Sequence, residues 1–261
     1  GIGAYGVGLS LASAKASWGA IFLGTLSALG VSLVLALVIG LFSLRVRAIF
    51  YAMITLAVAA AFAVLASQLS DFTGGEDGKT FRVPELLSPA TTLIDGEFLG
   101  RSIDGKLLTY YLVFGSAVAL FLLMLRIVNS PFGRVLQAVR ENDFLAQALG
   151  YRIVIYRTIA NCLGALIATL AGVLMALWLR YVGPKTMLSF EVMTDILLIV
   201  VIGGMGTLYG AVVGSALFII AQNYLQTLMQ QASSALEGVP LLPHLFHPDR
   251  WMLWLGLLFI L

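Results

Sequence analysis

The chain has 261 residues, 60% of them hydrophobic and 11% charged, with a formal net charge of +2 and a mean hydropathy of +1.00. Soluble domains carry about 25% charged residues, so a soluble globule of this size would lack the charge to cover its surface. Disorder needs low hydrophobicity and high charge, and nucleic-acid binding needs a basic face. With both excluded, a protein that crosses the bilayer several times remains.

The first six residues, Gly1–Gly6, spell G-x-G-x-x-G. No strand precedes them, so a dinucleotide site is discounted. The chain opens without Met or a charged segment ahead of an apolar stretch. It closes on the 11-residue apolar run Trp251–Leu261, about half of the roughly 20 residues a span needs. The expectation is one transmembrane domain over 1–261, a fragment truncated at both ends.

Four uncharged runs are long enough to span: Ala16–Leu44, Ala48–Ser70, Leu107–Leu125 and Thr158–Leu179. The first has 29 residues, more than a core of roughly 30 Å needs, so tilt or an interfacial end is expected. Thr55 and Asn161 lie inside two of these runs. Each is a possible pathway-lining group or a local hydrogen-bonding residue.

Orientation follows the basic residues in the connections. Ser43–Arg47 holds two Arg and no acid, and Arg126–Arg157 holds five Arg against two acids. Asp71–Lys106 holds seven acids against four bases. Residues 126–157 are therefore expected in the cytoplasm and 71–106 outside. The outer loop is 36 residues, with turn signals at Thr73-Gly74-Gly75, Val83-Pro84 and Asp95-Gly96. It reads as a solvated cap or a docking surface.

In Asn129–Tyr156, Ser130-Pro131 predicts a capped helix start. Phe132, Val135, Leu136 and Val139 form one apolar stripe, which needs membrane surface or another protein to cover it. Arg140-Glu141-Asn142-Asp143 breaks the stripe. Asp143 then caps a short helix, Phe144–Leu149, that Gly150 ends as a left-handed stop. The segment reads either as an interfacial helix or as a socket for a cytoplasmic partner.

Small residues recur every four positions at Gly164, Ala168 and Gly172, and again at Gly206, Gly210 and Gly214. Such spacing lets helices approach closely in lipid; the alternative is a pathway lining. Ile196–Leu228 carries no charge, but Gly203-Gly204-Met205-Gly206 interrupts it. It predicts a short helix ending near Ile202, a turn, and a second helix from about Tyr209 to Leu225. Glu191 and Asp195 share a face of the short helix, as a surface helix start or as a gate or subunit contact.

Other chemistry is weakly supported. Cys162 is alone, so neither a disulfide nor a cysteine zinc cluster is expected. His244 and His247 lack an evident third metal ligand. No G-x-S-x-G and no G-x-x-x-x-G-K-[ST] phosphate loop occurs in the chain. None of the long spans carries an ionisable residue, which argues against proton coupling. Sodium coupling through backbone carbonyls and a passive channel stay open.

Asn129–Tyr156 resembles the cytoplasmic loop of the branched-chain amino acid ABC-importer permeases, in particular the LivM-type subunit. Ser43–Tyr51 running to Thr55-Leu56-Ala57, Thr73-Gly74-Gly75 with Asp77-Gly78, Val201–Gly210 and Gly1–Tyr5 resemble other stretches of that family, in its order. One departure is Asp143-Phe144-Leu145-Ala146-Gln147, where the family is more charged. The resemblance implies an all-α polytopic transmembrane bundle with a cytoplasmic coupling helix, in the bacterial inner membrane. It implies four kinds of partner: the lipid bilayer, a second permease, two cytoplasmic ATPase subunits and an external solute-binding protein. Arg140, Glu141, Asn142, Phe144, Leu145, Ala148 and Gly150 would meet the ATPase. Gly203, Gly204, Gly206 and Gly210 would build a glycine hairpin. ATP would sit on the partners, with no cofactor or metal on this chain and no enzymatic site of its own. The solute would be a branched-chain or related small amino acid, with urea or another small polar solute as the alternative. A self-contained secondary transporter or channel is the competing reading.

Overall fold

The computed structural model describes residues 1–13, 16–43, 48–88, 92–98 and 101–235, together with Leu253 and Gly256. They form two compact units, residues 1–189 and the chain from Phe190 onward. Most elements are helical. Among the described residues five helical segments are long and apolar enough to cross a membrane, including Trp18–Gly40, Gly105–Val128, Ile153–Leu179 and Leu208–Gln231. A bent pair, Met53–Gln68 with Ser70–Asp77, makes a sixth if it is one span.

In the first unit, α1 (Ile2–Ser13), α2 (Trp18–Ser43) and α8 (Ile153–Leu179) pack against one another. Their contacts are built from residues with almost no side chain. A Cβ on Gly3 would strike the Thr169 carbonyl, and one on Gly24 would meet Ser10 Oγ and the Gly6 carbonyl. Without a hydrophobic force between helices in lipid, close backbone approach of this kind holds them together. Helix α1 was not expected from the sequence. Twelve residues are too few to span, and its glycines count against a helix. Burial of Ala4, Val7 and Leu11 overrides that propensity.

α3 (Ala48–Gln68) ends where the segment Ser70–Asp77, which opens with α4 (Ser70–Thr73), departs at 83° from Met53–Gln68. Thr73 Oγ1 turns back on the Ala66 carbonyl at 2.5 Å, and Gly74 closes α4 in the left-handed conformation, φ +85°. Two 3-10 turns follow, Gly75–Asp77 and Glu85–Leu87, separated by β1 (Lys79–Thr80). Asp95-Gly96 is not the turn the sequence suggests. It lies within β2 (Thr92–Phe98), which pairs antiparallel with β3 (Arg101–Asp104). The register slips between Ile94 and Phe98, so this glycine marks a bulge.

α5 (Gly105–Val128) leads to α6 (Pro131–Glu141) and α7 (Asp143–Ala148), and then to α8. At the far end of α8, β4 (Tyr181–Val182) pairs with β1, setting Lys79 opposite Val182 and Thr80 opposite Tyr181. α8 therefore joins the 126–157 segment at one end to the 71–106 loop at the other. α9 (Pro184–Met187) follows β4.

The second unit is a helical hairpin, α10 (Phe190–Gly203) and α11 (Leu208–Ala235), close to the predicted pair. Leu44–Arg47, His244 and His247 lie outside the described residues, as does most of 251–261.

Candidate functional site

The segment read as a partner socket is a helix–turn–helix with defined ends. Ser130 Oγ accepts from the Gly133 amide at 3.4 Å and donates to the Ile127 carbonyl at 2.6 Å, with Pro131 opening α6. The cap of α7 is Asn142, whose Oδ1 accepts from the Leu145 amide at 3.0 Å. This corrects the sequence assignment of Asp143. The Asp143 carboxylate is drawn away by Arg157, whose Nη2 lies 2.8 and 2.7 Å from its two oxygens. The helix accordingly runs from Asp143 to Ala148, one residue earlier than expected. Gly150 is left-handed at φ +91°. Its amide donates to the Gln147 carbonyl at 2.9 Å and the Tyr151 amide to that of Ala146 at 3.2 Å, a Schellman end.

The apolar stripe of α6 is covered in part by the chain itself. Val139, Ala146 and Ile153 form a buried cluster with Val135 beside it, and Phe132 stacks on Tyr156 at 5.7 Å. What remains uncovered is α7 and its end. Phe144 is 82% exposed, Leu149 69% and Leu145 58%. Arg140, Glu141, Asn142, Ala148 and Gly150 are exposed as well. Ala146 thus anchors the short helix while its aromatic and aliphatic side chains face outward. Arg140, Glu141, Asn142 and Phe144 line an open cleft with Leu136, Asp143 and Arg157.

Thr55 and Asn161, proposed separately from sequence, line one cavity of about 310 Å³ between α2, α3 and α8. Ser32 and Thr169 complete its polar side, and sequence reading missed both. Thr169 Oγ1 lies 2.7 Å from Ser32 Oγ and 2.7 Å from the Ala165 carbonyl, and Asn161 Nδ2 donates to the Ala36 carbonyl at 2.9 Å. The available signal was spacing: Asn161, Ala165 and Thr169 recur every four residues on α8, as do Ser32 and Ala36 on α2. Leu35, Ile39, Val58 and Phe62 form the apolar walls. Such a cavity can hold a small molecule through hydroxyl and amide contacts, with no charged side chain among those lining it.

The small-residue positions separate. Ala168 lines this cavity. A Cβ on Gly172 would touch the Ala4 amide nitrogen at 3.4 Å, whereas one on Gly164 would meet nothing within 4 Å. In the hairpin, Gly203 and Gly210 face each other so closely that a Cβ on either would strike the other's carbonyl, and Gly214 abuts the Ile199 carbonyl. Gly204 turns the chain at φ +89°. Gly206 precedes α11, and a Cβ there would meet nothing within 4 Å. It belongs to the turn and not to a three-glycine helix face. Glu191 and Asp195 both lie on α10, and Asp195 Oδ1 is buried without a hydrogen-bond partner among the described residues.

Gly78-Lys79-Thr80 has the last three letters of a phosphate loop, but Thr73 stands where the first glycine belongs. Lys79 and Thr80 form a strand, and Lys79 Nζ donates to the Asp71 and Phe72 carbonyls at 3.1 and 2.8 Å. A phosphate loop instead opens a helix and frees its lysine. Among the described residues no three of His, Cys, Asp and Glu gather as a metal site.

The family model described as the branched-chain amino acid transport system / permease component matches residues 1–261. The chain is 26% identical over 224 residues to the high-affinity branched-chain amino acid transport system permease protein LivM of Salmonella typhimurium, covering 79% of this chain and 51% of that protein. It is 25% identical over 224 residues to the same protein of Escherichia coli, with the same coverage. To the probable branched-chain amino acid transport permease protein LivM of Methanocaldococcus jannaschii it is 27% identical over 188 residues, covering 72% of this chain and 51% of that protein. The chain thus spans about half the length of the curated relatives it matches. No solved structure matches it. The whole-length family match, joined to the apolar helices and the capped helix pair between α5 and α8, makes this chain a multi-pass member of the branched-chain amino acid transport permease family.

Proposed function

We propose that this chain is the membrane-spanning permease part of an ATP-driven importer for branched-chain or related small amino acids, in the bacterial inner membrane. The supporting observation is α7. Three large apolar side chains, two on a short helix and one just past its end, stand exposed, and the helix is fixed by an amide cap, a carboxylate–guanidinium pair and a buried alanine. A rigid apolar knob held outside the bundle suits a groove on a second protein.

The partners in this reading are a second permease, two cytoplasmic ATPase subunits and an external solute-binding protein. ATP binds the ATPases, and this chain holds no cofactor and performs no hydrolysis. ATPase closure displaces α7. The displacement enters α8 through the Asp143–Arg157 pair and through Ala146 packed with Val139 and Ile153. Asn161 and Thr169 lie further along the same helix, so the polar cavity shifts with it. The cavity's hydroxyl, amide and aliphatic lining suits a small polar solute with an apolar side chain.

The test is to tag the full-length protein in its native host, extract it in mild detergent and assay the complex for co-purifying subunits and ATP hydrolysis. A stoichiometric ATPase is the expected result. A protein that transports in liposomes on its own, with no ATPase bound, would establish the secondary transporter or channel instead.

A further inference from the structure

The polar cavity has a neighbour. A second cavity, of about 300 Å³, lies between α1, α2 and α3 toward the 71–106 loop. Leu65, Leu69 and Phe72 line it from the end of α3 onward, and Ala28 and Val31 line it from α2. The two cavities share three lining residues, Ile2, Phe62 and Leu188. They also follow one another along the same helix faces. On α3, Thr55 and Val58 line the polar cavity, and Leu65 and Leu69 line the second; on α2, Ser32 and Leu35 line the first, and Ala28 and Val31 the second. The cavities are therefore consecutive chambers of one cleft, parted by Ile2, Phe62 and Leu188.

The chambers differ in chemistry. The first carries hydroxyl and amide groups, whereas the second is aliphatic and aromatic. The Thr73 hydroxyl beside the second chamber is engaged by the Ala66 and Leu69 carbonyls at 2.5 and 2.7 Å, and Ser27 Oγ donates to the Gly24 carbonyl at 3.0 Å. A narrow apolar passage of this kind excludes water and inorganic ions by dewetting. The three shared side chains are mounted unequally. Ile2 opens α1, whose Ala4, Val7 and Leu11 belong to the buried core, and Leu188 packs on that core just after Met187. Phe62 belongs to α3, where only Ala66 is buried among the described residues. Two leaves are thus fixed, and the third rides on a helix with little to hold it.

We propose that Ile2, Phe62 and Leu188 form an apolar gate on the solute's route, with Phe62 as the moving leaf. The amino acid enters the loop-side chamber, where its aliphatic side chain meets an apolar lining, and passes Phe62 into the polar cavity when α3 swings away from α2. This rests on the amino-acid importer reading above. While closed, the gate keeps water and ions from running through the polar cavity, so the membrane stays sealed between cycles.

The test uses the full-length protein with its co-purifying subunits in liposomes. Wild type is irradiated with photo-leucine, a diazirine amino acid with a branched side chain, and separately with a phospholipid carrying a diazirine on its acyl chain. The labelled residues are mapped by mass spectrometry. Photo-leucine is expected to mark Phe62, Leu65 or Leu69, and excess leucine to suppress that label. In a complex that takes up leucine, absence of a leucine-suppressible label there overturns the proposal without reference to any variant's folding; label from the lipid probe in its place identifies the chamber as a crevice for an acyl chain. Without ATP, Phe62→Ala and Leu188→Ala are each expected to release entrapped glycerol about tenfold faster than wild type, and Phe62→Leu to stay near wild type because it keeps the passage apolar and filled. An alanine variant that melts like wild type and stays sealed also overturns the gate. If wild type takes up no amino acid, the importer reading falls, and the glycerol leak alone decides the gate.

Discussion

Gly150 sits at φ +91° with open space where a Cβ would point. A side chain there strains the backbone by about 1 kcal/mol but strikes nothing within this chain. Gly150→Asp is therefore expected to lower the melting temperature by only a few degrees while ATP-driven uptake falls at least tenfold. Normal uptake in the variant would show that the end of α7 faces no partner. The Ser32–Thr169 contact differs because it is buried and internal. Each hydroxyl also reaches the Ala165 carbonyl, so removing one costs the other a single hydrogen bond, about 0.5–1.5 kcal/mol. Ser32→Ala and Thr169→Val are each expected to destabilise, and the double variant to lose less than the sum. Strict additivity in thermal melts would mean that the two hydroxyls act independently.

Among elements, the four long spans were legible because an uncharged run bounded by charges admits little but a membrane helix. The α10–α11 hairpin was legible because three glycines in four residues interrupt its run. α1 was not, since its stability comes from packing on α2 and α8 and not from its own sequence. Neither was the β1–β4 pair, whose two-residue strands lie about a hundred positions apart. The four-residue glycine spacing promised more than it delivered. It marks true contacts at Gly210 and Gly214 and open space at Gly164, because periodicity names a face without saying what lies opposite. The two cases give contrasting outcomes. Gly210→Leu drives a side chain into the Gly203 carbonyl and is expected to cut membrane yield severalfold, whereas Gly164→Ala is expected to leave yield and thermal stability near wild type. Equal yields for the two would refute close helix approach in the hairpin.

At the scale of the first unit, α8 links the proposed input and the 71–106 loop. Its 27 residues span about 40 Å. α7 is fastened at its beginning by Asp143–Arg157, an exposed pair worth about 0.2–1 kcal/mol, and more firmly by the Val139–Ala146–Ile153 cluster. At its end, β4 is paired to β1, Arg180 holds the Leu87 carbonyl and Tyr181 Oη donates to the Asp77 carbonyl at 2.8 Å. A helix tied at both ends carries a displacement without dissipating it, so the loop should travel with α8 as one body. Locking the latch should then cost nothing. Thr80 and Tyr181 are cross-strand partners, near enough for a disulfide when both become cysteine. The variant Thr80→Cys with Tyr181→Cys is expected to keep ATP-driven uptake within about twofold of its reduced form after oxidation, a change of roughly 0.4 kcal/mol or less in the transport barrier. Comparing oxidised with reduced protein removes the cost of the lost Tyr181 hydroxyl. If oxidation stops uptake and a reductant restores it, β1 and β4 must part during each cycle. The loop would then be a gate that opens against α8 instead of a lid carried by it.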